Sequence, residues 1–460
     1  MTLEEYVGSL TGKRICVIGA GVSNYPLIKL LALSGIDVTV CDMMSPDKIG
    51  ERELELVSCG AKLSLGEAYL DNLDYDVIFR TPGLMPFNPK LAEAKERGAL
   101  VTSEMEVFFS LCPCRTVAVT GSDGKTTTTT IISEILKRDG FNVHVGGNIG
   151  KPLLCELPFF KADDIAVLEL SSFQLHSMYC SPDVSVITNI SPNHLDKHKD
   201  YDDYISSKAS IFINQKPFSR LVLNMDDEIS MSTYLPRAVG NVCMFSIFSE
   251  PSYGAFLKDG NIFISSGDGC ELIMSADEIR LPGIHNIKNY IAAFSALEGI
   301  ASRQAMIDTA REFTGVEHRL ETVRTVNGVR YINDSIGTSP TRTIAGIDAL
   351  KDKPVLMLGG YDKHIPFDTL ADCVCRKVKA VFISGATCDK IYEAILSSPC
   401  FTGCGLEIFR CEDFDAAFKA ASLYAKPGDT VLLSPACAAF DSFKNFAERG
   451  KYFKKLVMEL

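Results

Sequence analysis

The chain has 460 residues, 46% of them hydrophobic and 23% charged, with a net charge of −12. Such a length exceeds one ordinary core, so several globular domains are expected. The acidic balance argues against nucleic acid or an anionic membrane as the main partner.

The opening, MTLEEYVGSL, is acidic and polar, unlike a signal peptide, and no apolar run approaches a membrane span. A cytoplasmic protein without membrane insertion is therefore expected. The sixteen cysteines are scattered singly. Cys112-Pro-Cys114 and Cys373-Val-Cys375 lack zinc-ribbon spacing and a nearby His pair. Reduced, buried thiols acting as small hydrophobes are expected.

The first segment alternates strands and helices. RICVIGAG, from Arg14 to Gly21, is a strand running into a Gly turn; NYPLIKLLALSG is a helix with a Gly stop; DVTVCD, from Asp37 to Asp42, is the next strand. This βαβ start carries Gly19-x-Gly21-x-x-Asn24, with Asn24 where a dinucleotide fold has its third Gly. Asp42 closes the second strand where such folds place a ribose-binding acid. VIFRTPGL, from Val77 to Leu84, is a further strand entering a turn. A nucleotide-like ligand at this edge and a purely structural Gly turn both account for the motif.

The second segment opens with VTGSDGKTTTTT, from Val119 to Thr130. RTVAVT is a buried strand and TTIISEILKRDG a helix, so Gly121-Ser122-Asp123-Gly124 joins strand to helix. Threonine is a mediocre helix former, because its branched Cβ restricts χ1; five in a row serve something besides helix stability. A Gly loop with Lys125-Thr126 at a helix N-terminus makes an anion site. Backbone N–H groups and the helix dipole face phosphates, Lys is a mobile cation, and the Thr hydroxyl can hold Mg²⁺. The loop is two residues shorter than G-x-x-x-x-G-K-[ST].

IAVLELSSFQL and VSVITNISPNHLDKH are apolar strands ending in polar residues, as at the carboxyl edge of a parallel sheet, where ligands bind. Glu169 lies within the first apolar run and should meet a cation, since a buried unpaired carboxylate is costly. His194 and Asp196 follow the second run. Thr126, Glu169 and His194 are the Mg²⁺ candidates. YDDYISSKASIF is a helix on which Lys208 reads as exposed, and LPGIHNIKNYIAAFSALEGIA is an apolar helix with His285, Asn286 and Asn289 near its start.

The third segment starts near Gly315. ETVRTVNGVRYIND is a hairpin turning at Asn327-Gly328. PVLMLGG, AVFISGA and DTVLLSPA are strands separated by helices, a second doubly wound sheet. The basic end, ERGKYFKKLVMEL, reads as a solvated helix.

Ten stretches in a fixed order carry a resemblance: GSDGKTTTT, GGNIGKPL, LELSSFQL, NISPNHLDKH, SSKASIF, GIHNIKN, EHRLE, YINDSIGTSPTRT, LGGYDKH and LSPACAAFDSFKNFAERGKYF. Together they resemble the Mur ligases over essentially the whole chain. The resemblance implies an α/β fold of three domains. Residues 1–110 form a Rossmann-like domain for the UDP end of the substrate, 111–314 a central P-loop-type ATPase with a mostly parallel sheet, and 315–460 a Rossmann-like amino-acid-binding domain. It also implies a monomeric, cytoplasmic, ATP-dependent ligase of peptidoglycan precursor synthesis, in the branch that joins D-glutamate to UDP-MurNAc-L-Ala. In that family ATP phosphorylates the substrate carboxylate. The amine of D-glutamate attacks the acyl phosphate, and a tetrahedral intermediate collapses to amide, ADP and phosphate.

The residue roles that follow are likewise implied by the resemblance. Gly121, Ser122, Asp123, Gly124, Lys125, Thr126 and Thr127 bind ATP, with Asn286, Asn289, Arg319 and Asp334 as further nucleotide contacts. Lys125 meets the β and γ phosphates. Two Mg²⁺ ions sit on Thr126 with Glu169 and on Glu169 with His194, and Lys208 is carbamylated into an anionic metal-site group. Lys125, His194 and Lys208 are the catalytic set. Gly21, Val22, Ser23, Asn24, Asp42, Thr81, Gly83 and Asn148 face the UDP substrate, and Thr338, Lys363 and Phe446 hold D-glutamate. The chain departs from the family at Ser122-Asp123, where Thr-Asn is common, at Ile336, where Lys is common, and at Ala439, where a Ser meets the D-glutamate carboxylate. Ser434, Thr341 and Arg342 are the candidates to replace the lost donor.

Three other readings compete. A relative adding a different amino acid is opposed by the N-terminal βαβ unit and DSIGTSPT. An NAD-dependent dehydrogenase is opposed by the missing third Gly and the separate Gly-Lys-Thr loop. A non-catalytic scaffold is opposed by polar residues at successive strand ends.

Overall fold

The continuous apolar runs become the strands of parallel sheets, and the amphipathic stretches between them become the covering helices. A computed structural model of the chain describes residues 1–195, 197–281, 283–362 and 365–460. Contacts divide it into two units, Met1–Phe313 and Thr314–Leu460.

The first unit begins with a five-stranded parallel sheet: β1 (Arg14–Ile18), β2 (Asp37–Asp42), β3 (Lys62–Leu65), β4 (Val77–Phe79) and β5 (Leu100–Thr102). Its order, β3-β2-β1-β4-β5, reverses direction between β1 and β4, the place where such sheets bind ligands. A six-stranded parallel sheet follows: β6 (Arg115–Thr120), β7 (Val143–Gly147), β8 (Ile165–Glu169), β9 (Val184–Ile187), β10 (Arg220–Asn224) and β11 (Asn241–Phe245), in the order β11-β10-β9-β6-β8-β7. Strand β6 shows why both faces are covered. Ala118 packs into a core shared with Val17, Leu31 and Leu154, whereas Val117 and Val119 pack with Ile131, Ile135 and Phe294 on the other face. The helices Lys125–Arg138 and Ile284–Leu297 cover that second face.

A three-stranded antiparallel sheet, β12 (Tyr253–Lys258), β13 (Asn261–Ser266) and β14 (Cys270–Ser275), completes the unit. Sequence reading missed it, although Asp259-Gly260 between β12 and β13, with φ of 49° and 74°, is the two-residue hairpin signal.

The second unit holds one six-stranded sheet: β15 (Glu321–Val326), β16 (Val329–Asn333), β17 (Val355–Gly359), β18 (Ala380–Ser384), β19 (Glu407–Arg410) and β20 (Thr430–Leu433). The order is β15-β16-β20-β17-β18-β19, with only β15 antiparallel. The β15–β16 turn lies at Asn327-Gly328, both left-handed, as its sequence predicts.

Two expectations need correction. The terminal helix, Phe446–Met458, is not simply solvated: Arg449, Gly450, Phe453 and Val457 are buried. All sixteen cysteines are free thiols, but only seven are buried, eight are half-buried and Cys270 is exposed. Among the described residues, no helix is long and apolar enough to cross a membrane.

Candidate active site

Strand β6 lies between β8 and β9, so the loop leaving its carboxyl end sits at the crevice of the sheet. Gly124 turns left-handed there, with φ 78°, and a Cβ on it would lie 2.5 Å from Asn289 Oδ1. Asn289, from the helix Ile284–Leu297, thus packs directly on the loop. It accepts from Thr128 Oγ1 at 3.3 Å and donates to Asn286 Oδ1 at 3.3 Å. The segment after β9 braces the opposite side: Ser122 Oγ donates to Ser191 O at 2.9 Å, and Asp123 N–H donates to Asn189 Oδ1 at 3.1 Å. Lys125 Nζ folds over the loop onto Gly121 O at 3.0 Å and Ser122 O at 2.9 Å. A glycine turn, a helix N-terminus and a flexible ammonium make a cradle for phosphate.

The threonines divide by orientation. Thr126 Oγ1 donates to Glu169 Oε2 at 2.6 Å, and Thr130 Oγ1 bonds back to Thr126 O at 2.8 Å. Thr129 Oγ1 is buried without a hydrogen-bond partner. Thr127 is buried in the first helical turn.

Glu169 ends β8 and is 2% exposed. Asn148 Nδ2 donates to its Oε1 at 2.8 Å, and Asn148 N–H donates to its backbone carbonyl at 2.7 Å. The approach requires Gly147, where φ is 94° and a Cβ would stand 2.2 Å from Glu169 O. Thr126, Glu169 and Asn148, widely separated in sequence, therefore form one hydrogen-bonded chain.

Lys208 corrects the expectation of a surface lysine, being only 2% exposed. Its Nζ donates to Thr120 Oγ1 at 3.2 Å and Gly121 O at 2.9 Å, and lies over the Tyr204 ring at 4.8 Å. Burial, and next the charge of Lys125, pushes its pKa well below the usual lysine range. A hydroxyl beside a buried carboxylate offers the hard oxygen donors that Mg²⁺ takes. A buried amine that prefers to be neutral is a nucleophile able to take up CO₂ as a carbamate. The donors therefore fit both groups. His194 follows β9 in a left-handed conformation, φ 54°, which costs a non-glycine residue about 1–2 kcal/mol. Its ring lies 5.1 Å from that of Phe173.

At the edge of the first sheet, Asp42 accepts from Ala20 N–H and Met44 N–H, both at 2.8 Å. It braces the Gly turn from beneath. Asn24 fills the third-Gly position and donates to Ile18 O at 2.9 Å and Gly19 O at 3.3 Å, closing the turn. Gly21, Val22 and Ser23 remain exposed on it. Thr81 packs against Gly19, with Gly83 exposed two residues on, so these candidates share one edge.

Residues 119–297 match the Mur ligase middle domain, and residues 318–437 match the glutamate ligase domain of the Mur ligases. The UDP-N-acetylmuramoylalanine–D-glutamate ligase of Acetivibrio thermocellus is 46% identical over 458 residues, 99% of this chain and 98% of that protein. The chain belongs to the Mur ligase family. A Clostridium novyi relative of the same name is 44% identical over 460 residues, covering 100% of this chain and 99% of its own. Among solved structures, UDP-N-acetylmuramate-alanine ligase MurC from Thermotoga maritima superposes with a TM-score of 0.56 at 17% identity, covering 97% of this chain and 99% of that one. MurF from Acinetobacter baumannii gives 0.55 at 16% identity, over 79% and 82%. These two share the multi-domain α/β fold.

In this Mur ligase the second unit has a polar centre of its own. Asp334 follows β16, buried; it accepts from Ser434 Oγ at 2.7 Å and Leu320 N–H at 3.2 Å. Burial raises its carboxyl to about 6. Ser434 is fully buried and also bonds Thr343 Oγ1 at 3.0 Å, so its hydroxyl is engaged in the interior. Thr341, Arg342 and Arg319 are exposed, and Thr338 is half-buried. Phe446 is 36% exposed, with its ring edge-on to His318 at 6.2 Å. Lys363 and Asp196 lie outside the described residues.

Sequence reading missed three buried polar centres of the Mur ligase. Asp203 bridges His176 Nε2 at 2.9 Å and His198 Nδ1 at 2.8 Å, while His198 Nε2 meets Ser172 Oγ at 3.0 Å. These polar atoms satisfy one another and tie the Ser172–Leu175 helix to the helix that carries Lys208. Arg449 donates to Ser335 O at 3.0 Å, Cys437 O at 3.1 Å and Ala438 O at 3.2 Å, anchoring the terminal helix. Arg80 is the third. The one signal available was a charged residue inside an apolar run, as at Arg80 in VIFRTPGL.

Proposed function

We propose that this Mur ligase is a cytoplasmic, monomeric, ATP-dependent amide ligase that joins D-glutamate to UDP-N-acetylmuramoyl-L-alanine. The observation that carries the reading is the Thr126–Glu169–Asn148 chain beside the Gly121–Lys125 cradle. It lies in a chain 46% identical, nearly end to end, to a ligase of that name.

A carboxylate is a poor acyl donor, and a phosphoryl group on its oxygen turns that oxygen into a leaving group. The work left to the protein is positioning and charge neutralisation. Residues Gly121 to Thr127 hold the triphosphate, and Lys125 exchanges its loop carbonyls for the β and γ phosphates. Asn286, Asn289, Arg319 and Asp334 hold the rest of the nucleotide. Mg²⁺, as two ions, neutralises phosphate charge when bound; Thr126, Glu169, His194 and the carbamate of Lys208 are the residues that hold it. The carbamate forms when the neutral Lys208 amine bonds to the carbon of CO₂ and releases one proton.

Gly21, Val22, Ser23, Asn24, Asp42, Thr81 and Gly83 hold the UDP end, and Asn148 orients the muramoyl side. Thr338, Lys363 and Phe446 hold D-glutamate, whose amine displaces phosphate. The corresponding division is 1–110 for the UDP substrate, 111–314 for ATP and 315–460 for the amino acid.

The test is phosphate release from ATP with UDP-MurNAc-L-Ala and, separately, D-glutamate, L-glutamate, L-alanine and meso-diaminopimelate. Turnover with D-glutamate alone is expected. Turnover with a different amino acid would reassign the substrate, and none with any would overturn the reading.

A further inference from the structure

The turn leaving β4 carries an arginine sealed from solvent. Arg80 is 1% exposed, and all its hydrogen bonds go to neutral acceptors, with the charge of buried Glu106 acting on it without a hydrogen bond. Nε and Nη2 donate to Ser177 Oγ at 3.2 and 2.6 Å, Nη2 to Phe173 O at 3.0 Å, and Nη1 to Leu84 O at 3.1 Å and Thr81 O at 3.4 Å. A buried cation held this way carries a desolvation cost that an apolar side chain of similar volume would not. Stability alone does not explain it.

Its partners do. Thr81 and Leu84 flank Pro82 and Gly83 in the turn at the edge of the first sheet. Phe173 and Ser177 lie just beyond β8, which ends in Glu169. Phe173 reaches further: its ring stacks on His198 at 5.4 Å and lies 5.1 Å from the ring of His194. One guanidinium therefore links the turn of the first sheet to the segment between Glu169 and His194. Arg80, Asn24, Gln174 and Gly147 also line a cavity of about 20 Å³, room for roughly one water. The seam around the arginine leaves little freedom.

We infer that Arg80 is a positioning residue, holding the Thr81–Leu84 turn in register with the segment between Glu169 and His194, so that a substrate seated on the turn is aligned with the site those residues flank. Arg80 itself, with every donor engaged, does not touch the substrate. A lysine cannot reproduce the fork, because its three donors radiate from one nitrogen. This inference rests on the function proposed above.

The test uses the full chain with Arg80→Met, Arg80→Lys and Ser177→Ala. Steady-state kinetics, thermal unfolding and amide hydrogen exchange are measured on each. Arg80→Met should raise the KM for UDP-MurNAc-L-Ala ~10–100-fold, the size of loss that about 1 Å of misplacement can bring. Its KM for ATP should stay within about threefold, and exchange should quicken at residues 81–84 and 173–177. Arg80→Lys should recover part of the KM, and Ser177→Ala should shift the same KM by a smaller factor. Two results overturn the inference: an unchanged KM for the UDP substrate in folded Arg80→Met, or an equal loss in every parameter together with a fall in thermal stability. Should Arg80→Met not fold, Ser177→Ala decides on the same readouts. Wild-type phosphate release is read first; its absence overturns the proposed function, while the exchange data still decide whether Arg80 pins the turn.

Discussion

Replacing Thr by Val at two positions of the threonine run separates function from helix packing, because Val keeps the shape and removes the hydroxyl. At Thr126 the hydroxyl donates to Glu169 Oε2 at 2.6 Å, and Glu169 is 2% exposed. Removing one donor from a buried carboxylate costs about 1.5–3 kcal/mol, equivalent to ~10–100-fold. The same hydroxyl is a proposed Mg²⁺ ligand, so Thr126→Val should lower kcat/KM by at least ~10-fold and raise the Mg²⁺ concentration needed for half-maximal rate. At Thr129 the hydroxyl is buried and unpartnered. Its removal relieves a desolvation cost of about 1–3 kcal/mol, so Thr129→Val should be equally active and no less stable. The assay is phosphate release across a Mg²⁺ titration, paired with guanidinium unfolding. Equal losses of turnover in the two variants would refute the reasoning, as would a Thr129→Val protein clearly less stable than the parent.

Lys208→Ala should be nearly inactive and partly rescued by short carboxylates; an active Lys208→Ala together with mass evidence for a bare lysine would reject the carbamate. Burial raises the Glu104 carboxyl from its ordinary 4.5 to about 7, so the folded state holds that proton more tightly than the unfolded one. Stability from this group is therefore full below about pH 4.5 and lost as pH rises through about 7. Glu104→Gln keeps an acceptor for Leu154 N–H and should gain about 3 kcal/mol at pH 8 but little at pH 4.5; a pH-independent gain in guanidinium unfolding would contradict this. Lys363→Ala should raise the KM for D-glutamate ~10–100-fold and leave that for ATP nearly unchanged, as expected for loss of a charged hydrogen bond. Near-normal D-glutamate kinetics would move the carboxylate anchor to Arg342.

Much was legible in the sequence because it depends on neighbours along the chain. The strand Asp37–Asp42, the hairpin at Asn327-Gly328 and the Gly loop before Lys125 follow from β-branched runs, positive-φ residues and helix-start chemistry within a few positions. The ten ordered motifs likewise pointed to the family without reference to any contact. What the tertiary structure alone decided is the fate of single polar side chains. Thr126 stands out in the run by following Lys125, but only the tertiary structure shows that its hydroxyl meets Glu169 while that of Thr129 is stranded in the core. Lys208 looks like a surface residue of a short polar helix until that helix docks beneath the loop at Gly121. Ser434 seemed free to bind a ligand until it met Asp334, 100 residues away. Arg80 is one charge in an apolar run, and its role appears only when Ser177 arrives 97 residues later. Backbone preference is local, whereas desolvation and hydrogen-bond satisfaction depend on what the rest of the chain brings alongside.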